Sequence, residues 1–309
     1  MNRTQREEYI QQHARPGESY EQAYKRLFSS NSPKSPRNQM ALAPKRHTQG
    51  DFFVADIMDA SIKDDTASME HPLFALRAGD RKVRVYQHNE TTVEVRPGRR
   101  GLATIHDKDV WIYCISQLVE AMNRGRDEIS RTVRFIAYDF MVTTNRRTDG
   151  DSYKRMGEAL ERLSESRIVT NIATAGMRER SGFGLIDSWR VIERNGDNRM
   201  VSIEVTLPEW LYRSVKAKHV LTLDRDYFRL RKPLDRRIYE LARKHCGIQP
   251  KWLISLEKIH KKSGSSASLR EFRRSIKMLS ESNLLPGYKV SFDPDGDMVT
   301  FHPRRSTSK

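Results

Sequence analysis

Two segments of this chain share the tetrapeptide LSES and the same spacing of apolar residues. SLREFRRSIKMLSESNLL spans residues 268–285, and SYKRMGEALERLSESRIV spans residues 152–169. In both segments the apolar residues follow one another at steps of three, four and three, which is the spacing of one face of an amphipathic helix. The sequence therefore predicts two equivalent helices, each with one buried side.

The elements around these helices also recur, and in the same order. PLDRRIYELARKHC, residues 233–246, matches the helical pattern DKDVWIYCISQLVEAM at 107–122, with an Asp three residues ahead of Ile-Tyr in both. Asp107 is a plausible N-cap of the earlier helix and Gly125 a plausible terminator. WLISLEKI then matches RFIAYDFM as a short strand that leads into a second helix. Three matches in one order indicate a duplicated domain.

Alternating apolar and polar runs predict strands after each repeated helix. Residues 168–207 contain three such runs, and YKVSF and DMVTFHP form a hairpin at the end of the chain. Helix, turn, helix and hairpin is the order of a winged helix. We therefore expect an α+β fold with tandem winged-helix domains, the first at 51–228 and the second at 229–309. RKVRVYQHN and TTVEVRPG predict a further hairpin in the first domain.

The first 50 residues differ from the rest. Tyr20, Ala23, Tyr24 and Leu27 have helical spacing and predict a short amphipathic helix, whereas residues 29–50 combine Ser, Pro and basic residues without periodicity. Such a composition predicts a flexible basic tail that is dispensable for site recognition.

Composition limits the class of partner. The chain of 309 residues has 56 Lys and Arg against 40 Asp and Glu, a formal net charge of +16, which favours a polyanion such as nucleic acid. No apolar run is long enough to span a membrane and no signal peptide is recognisable, so a cytoplasmic, DNA-associated protein without membrane attachment is expected. The two cysteines, Cys114 and Cys246, are interpreted as small buried residues.

Motifs of common catalytic sites are absent from the sequence. There is no GxxxxGK[ST], HExxH or GxSxG, and the nine histidines have no companions at metal-ligand spacing. We therefore expect no enzymatic activity, no catalytic residue, no metal and no cofactor.

The two helix-turn-helix segments differ in charge. Residues 251–277 carry eight basic and two acidic side chains, whereas residues 133–161 carry five of each. The second segment is thus the stronger DNA reader, with arginines suited to bases and lysines of the supporting helix suited to phosphates. The candidate DNA-binding residues are Lys258, Lys261, Lys262, Arg270, Arg273, Arg274 and Lys277 in the second domain and Arg146, Arg147, Lys154 and Arg155 in the first.

MEHPLFALRAGD, the DKDVWIYCISQL helix and the paired helices ending LSESRIV and LSESNLL resemble the plasmid replication initiators of the RepA type. The resemblance covers roughly residues 50–303 and implies two winged-helix domains, binding to repeated origin sequences in double-stranded DNA, and recruitment of the host initiator and replicative helicase without catalysis. It also implies that the second domain reads the major groove, while the first makes accessory backbone contacts and supplies a dimer interface.

Two other classes of protein remain open at this point. A transcriptional regulator with tandem winged helices, including an autorepressor, would use the same residues. A nicking initiator that acts through a nucleophilic tyrosine is the third possibility. A homodimer is expected through the first domain, whose hairpin strands offer surface that is not committed to phosphate.

Overall fold

The computed structural model describes residues 61–88, 91–126, 129–171, 173–174, 177–178, 181–194 and 199–304. The predicted tail at 1–50 and its short helix lie outside these residues. Eight α-helices are present in the described part: α1 Thr66–Glu70, α2 Asp109–Asn123, α3 Ala137–Thr143, α4 Gly150–Glu165, α5 Glu209–Lys216, α6 Pro233–His245, α7 Leu256–Ser263 and α8 Leu269–Ser282.

Short strands alternate with these helices. In chain order they are β1 Lys63–Asp65, β2 Arg84–His88, β3 Thr91–Arg96, β4 Thr132–Ile136, β5 Arg167–Thr170, β6 Ala173–Thr174, β7 Met177–Arg178, β8 Ser181–Gly184, β9 Ser188–Arg194, β10 Arg199–Thr206, β11 Val220–Thr222, β12 Trp252–Ser255, β13 Tyr288–Asp293 and β14 Met298–Pro303. The described chain is a mixed α+β fold.

The repeat seen in the sequence is also a repeat of topology. Two three-stranded antiparallel sheets have the orders β4-β10-β9 and β12-β14-β13. In each sheet the strand ahead of two helices pairs with the last strand of the hairpin that follows them. The elements therefore recur in three dimensions in the order in which the sequence repeats them.

Helices α4 and α8 form as their apolar spacing predicts. Met156, Leu160 and Leu163 of α4 are buried, and so are the corresponding Phe272, Ile276 and Leu279 of α8. Each helix starts at a capping side chain: Asp149 accepts a hydrogen bond from Ser152 N, and Ser268 accepts one from Glu271 N. The Glu271 carboxylate accepts from Ser268 N in return, which completes a capping box.

The predicted N-cap of α2 is wrong, whereas its terminator is confirmed. The N-cap residue is Lys108, and the Asp107 carboxylate instead accepts hydrogen bonds from Thr104 N and the Arg162 guanidinium. Asp107 is therefore used to fix a loop and a second helix. Gly125 ends the helix with a φ of +70°, a conformation that side chains with a Cβ rarely adopt.

Strands β5 and β8 take a position that the sequence did not predict. They join β2 and β3 in a four-stranded sheet of order β2-β3-β5-β8. The hairpin that pairs back to β4 is β9-β10 alone. The two LSES segments consequently diverge at their ends: Arg167 begins β5, whereas Asn283 takes a left-handed conformation and closes α8.

Two apolar cores lie side by side in the described chain. The first collects buried residues from 73 to 215, and the second collects residues of α6, α7, α8 and the final hairpin. Ile62, Met69 and Ile112 also belong to the second core, although they precede it by more than a hundred positions. The division of the chain at 228 stays a prediction.

Both cysteines are buried, as the sequence predicted, and burial raises the pKa of each thiol.

Candidate nucleic-acid interface

Helix α8 has one apolar and one cationic face. Its buried stripe holds the helix against the second core, which leaves Arg270, Arg274 and Lys277 exposed on the opposite side. Among the described residues, these three cations have no acidic partner. Their charge is therefore available to an external anion.

Arg273 is the exception on this helix. Its guanidinium binds both carboxylate oxygens of Asp297, with Nε 2.9 Å from Oδ1. Asp297 lies between β13 and β14, so the pair ties the helix to the tip of the final hairpin. Hydrogen bonding by Arg273 lowers the pKa of Asp297. Base reading by Arg273 stays a prediction, because contact with a base requires this pair to open.

The three lysines of α7 differ in their surroundings. Lys258 is exposed, and Lys261 Nζ lies 2.7 Å from Glu257 Oε1 one turn earlier on the same exposed face. Lys262 is half-buried and forms an ion pair with Glu70 at the end of α1. An exposed i, i+4 pair opens at little cost, so Lys258 and Lys261 are the freer of the three.

The cations predicted for the first half also divide into two kinds. Lys154 and Arg155 are exposed on α4, and Arg147 is exposed with Nε 2.8 Å from Asp149 Oδ2. Arg146 is half-buried. Its Nη2 donates to the His106 carbonyl at 2.5 Å and to Asp109 at 2.8 Å, and its guanidinium lies over the Phe140 ring.

The contacts of Arg146 belong to a network of buried charges that joins the two cores. Lys108 is 0% exposed, and its ammonium lies 2.6 Å from Asp64 Oδ2 and 3.0 Å from Glu240 Oε1. Burial alone lowers the pKa of Lys108, but the two carboxylates raise it above its usual value. A buried cation of this kind is stable only because both carboxylates accompany it.

A second branch of the network crosses between the helices α2 and α6. Asp109 accepts from Arg236 Nη1 at 2.5 Å and from Arg146, so one carboxylate holds two guanidinium groups. Arg237 donates to the carbonyls of Met69 and Glu70 at the end of α1 and to the Lys262 carbonyl near the end of α7. This arrangement could not be predicted from the sequence, because charged residues at helix starts usually face solvent.

The sequence of this chain matches a known protein family. The model of the family described as "Replication initiator protein A" matches residues 63–290, which span both repeated halves. The chain belongs to the replication initiator protein A family. The resemblance to RepA-type initiators that the sequence motifs predicted is therefore confirmed, and a role in initiating replication follows from membership of the family.

A relative and two solved structures accompany this match. A protein of Wigglesworthia glossinidia brevipalpis named "Putative replication protein" is 41% identical over 257 residues, which cover 82% of this chain and 94% of the relative. A crystal structure of selenomethionine derivatives of domain 2 and domain 3 of RctB has a TM-score of 0.57, with 9% identity over 77% of this chain and 98% of that one. A structure of RctB domains 2-3 has a TM-score of 0.49 with 11% identity, over 73% and 91% of the two chains.

The identity to the RctB domains is low, so the TM-score of 0.57 concerns the fold alone. It agrees with the α+β class expected for this replication initiator. Among the residues described, no three His, Cys, Asp or Glu side chains are grouped so as to hold a metal ion, and no helix is both long and apolar enough to cross a bilayer.

Proposed function

We propose that this replication initiator binds repeated origin sites in double-stranded DNA, and that each half of the chain is a winged helix. The order of strand, two helices and returning hairpin in both halves supports the winged-helix assignment. The observation that carries the proposal is the face of α8 on which Arg270, Arg274 and Lys277 are exposed without acidic partners among the described residues.

The N-terminal half of α8 is the part that enters the major groove. Arg270 and Arg274 are one helical turn apart on the exposed face, where an arginine reaches guanine O6 and N7 with two hydrogen bonds. Lys258 and Lys261 on α7 contact phosphates, because a flexible ammonium suits a phosphate oxygen better than a base edge. Lys277 contacts the backbone further along the groove.

The final hairpin has a supporting role in this arrangement. Its tip carries Asp293, Asp295 and Asp297, and within the described part of the chain only Asp297 has an arginine partner, Arg273. An acidic tip is repelled by phosphates, so the hairpin does not enter the minor groove. It holds the helix in place, and α8 supplies the contacts to the bases.

The first half contributes accessory phosphate contacts through Arg147, Lys154 and Arg155, which are exposed.

The first half also supplies a homodimer contact. Strand β2 is an edge of its four-stranded sheet, and Val85 on that strand is 56% exposed. An exposed edge strand pairs readily with a second copy. Sedimentation of the full chain and of Val85→Lys tests this: the variant should be monomeric where the wild type is dimeric.

Binding to the DNA that flanks the gene tests the main proposal. Footprinting locates the repeats, and fluorescence anisotropy compares Arg270→Ala with Lys154→Ala on matched and altered repeats. Arg270→Ala should cost about 1 to 3 kcal/mol and relax preference at one base position, whereas Lys154→Ala should weaken binding to all sequences slightly. Unchanged sequence preference after alanine replacement of both Arg270 and Arg274 would contradict the proposal.

The protein acts as a binder that recruits the host initiator and replicative helicase, and it does not cut DNA. A supercoiled origin plasmid should stay supercoiled in its presence while the origin becomes sensitive to single-strand reagents. A transcriptional regulator would leave the origin duplex, and a nicking enzyme would relax the plasmid. The assay therefore separates the three classes in one experiment.

A further inference from the structure

Two joined loops of the first half carry a group of exposed cations outside the helix-turn-helix segments. Residues 77–82 have the sequence RAGDRK, and residues 97–100 have the sequence PGRR. We call them the double loop. Its four exposed cations without an ion pair in the described part of the chain are Arg77, Arg81, Lys82 and Arg99.

Backbone contacts hold the double loop in one shape. Leu102 N donates to the Asp80 carbonyl at 2.7 Å, and Gly101 N donates to the Gly98 carbonyl at 3.0 Å. Gly101 has a φ of +87°, and a Cβ at this position would lie 2.9 Å from the Asp80 carbonyl oxygen. The close approach of the two loops therefore requires glycine at 101, and it brings their cations together.

Two acids beside the double loop, Asp80 and Glu161, are engaged by arginines, and a third, Glu165, accepts a hydrogen bond from Arg100 N at 3.4 Å. The Asp80 carboxylate lies 2.5 Å from Arg84 Nη2, outside the loop at the start of β2. Glu161 of α4 pairs with Arg100, the fifth cation of the loops. The four remaining cations consequently present a local excess of positive charge to solvent.

The double loop is fixed to the turn that leads into α8. The Arg84 guanidinium that binds Asp80 also donates, through Nη1, to the Gly264 carbonyl at 2.8 Å. Gly264 has a φ of +68°, and a Cβ there would lie 2.6 Å from Pro72 Cβ. One guanidinium thus joins the double loop to the α7-α8 turn, and only residues 265–268 separate that turn from the start of α8.

We infer that the double loop is a second DNA contact, which binds the phosphate backbone beside the site that α8 reads. This inference rests on the proposed function of α8. A DNA duplex in contact with the first turn of α8 extends past the α7-α8 turn, where the cations of the double loop meet the flanking phosphates. Arginine and lysine side chains on a loop neutralise phosphates without reading bases, so the contact adds affinity and leaves sequence preference unchanged.

The test replaces all four cations with alanine in the full chain and measures binding to a site with long flanks as salt is raised. Each lost phosphate contact reduces the steepness of the fall of log K with log salt by about 0.9. We therefore expect the magnitude of the slope to be smaller by between about two and four. Preference among altered repeats should not change. Trimming the flanking duplex on the side of the double loop should weaken the wild type to the level of the variant.

Two matched variants accompany the alanine variant. Arg77→Lys, Arg81→Lys and Arg99→Lys together keep the charge and should keep the salt slope of the wild type. Alanine at Arg213, Lys216, Arg225 and Arg229, which are exposed elsewhere, removes the same net charge and should leave the dependence on flank length intact.

An alanine variant of the double loop that binds DNA as the wild type does, at every salt concentration and flank length, would overturn the inference. The same result is expected if the loops bind an acidic protein instead of DNA. That result leaves the proposed function standing if Arg270→Ala still relaxes sequence preference. The two failures are therefore distinguishable within one set of measurements.

Discussion

The Arg273 guanidinium has the position of a base reader on α8, but Asp297 holds it. Asp297 has a φ of +48°, a conformation that Asn tolerates as well as Asp. Asp297→Asn therefore keeps the backbone, removes a negative charge and frees Arg273. We expect it to strengthen DNA binding and to raise the salt slope by about one, measured by anisotropy.

Asp295→Asn is the matched control for this variant, because it removes the same charge from the same hairpin tip without touching Arg273. Equal gains from the two variants would show that only general repulsion was relieved and that Arg273 takes no part in binding.

His106 gives the protein a specific sensitivity to acid. Burial lowers the pKa of its imidazole to about 4, and the neighbouring Arg236 adds to this effect, as does Arg146, whereas Asp109 and Asp107 oppose it. An unfolded histidine titrates near 6.5, so folding stability is fully present above that pH and is lost as the pH falls from about 6.5 to 4. The loss amounts to at most about 3.4 kcal/mol.

His106→Gln should flatten the curve of unfolding free energy against pH over this interval, measured by urea titration at several pH values. His302→Gln, near the end of β14, is the matched control. An unchanged slope in His106→Gln would show that His106 does not contribute to the acid-induced loss of stability.

At the scale of single residues, the sequence could predict which cations lie on α8. It could not predict which of them are paired with an acidic side chain. Arg270 and Arg274 look like Arg273 in the sequence, and the difference arises from Asp297, 24 residues later. Arg146 also has the appearance of a surface arginine. Its guanidinium is instead engaged by Asp109 and the His106 carbonyl, which local spacing does not connect to it.

At the scale of elements, the start of α8 depends on its capping box. Ser268→Ala removes the acceptor for Glu271 N, so we expect a loss of about 1 kcal/mol of stability. Frayed residues at this end would include Arg270, and specific DNA binding should weaken more than nonspecific binding. Chemical denaturation and anisotropy measure the two effects.

Ser266→Ala is the control, since Ser266 is exposed in the same turn and forms no cap. A Ser268→Ala variant as stable as Ser266→Ala would mean that packing of Phe272 and Ile276 alone fixes the helix start.

Local patterns predicted these elements well because each has its own periodicity and caps. Helix α8 and the β13-β14 hairpin are confirmed. The four-stranded sheet escaped prediction for a physical reason: β5 pairs with β3 through contacts such as Val93 with Thr170. The alternation of apolar and polar residues within a strand does not indicate which distant strand it pairs with.

At the scale of the whole molecule, the second core is completed by residues from the first part of the chain. Met69 and Ile112 are fully buried in it, and Arg236 and Arg237 find their partners in the same region. A fragment of residues 229–309 loses this apolar cover. In it Arg236 loses its carboxylate partner Asp109, and Arg237 loses the carbonyls of Met69 and Glu70, which leaves the buried charges less well compensated. We expect the fragment to lack a cooperative unfolding transition.

Residues 51–309 form the matched fragment, which should unfold cooperatively and keep sequence preference. Calorimetry and circular dichroism distinguish the two outcomes. A sharp transition in residues 229–309 would show that the second core is self-sufficient and that the buried charges serve only to orient the halves.

The pairing of β1 with β11 also has a consequence during synthesis. Lys63 and Thr222 touch across this ladder although 159 residues separate them. A ribosome that adds about 5 to 20 residues per second needs about 8 to 32 s to make that stretch. Throughout this interval the emerging β1 segment lacks its strand partner, and Ile62 and Met69 lack the residues after 222 that bury them in the second core. The nascent chain is therefore a natural client for a chaperone that shields short apolar segments until translation of the second half is complete.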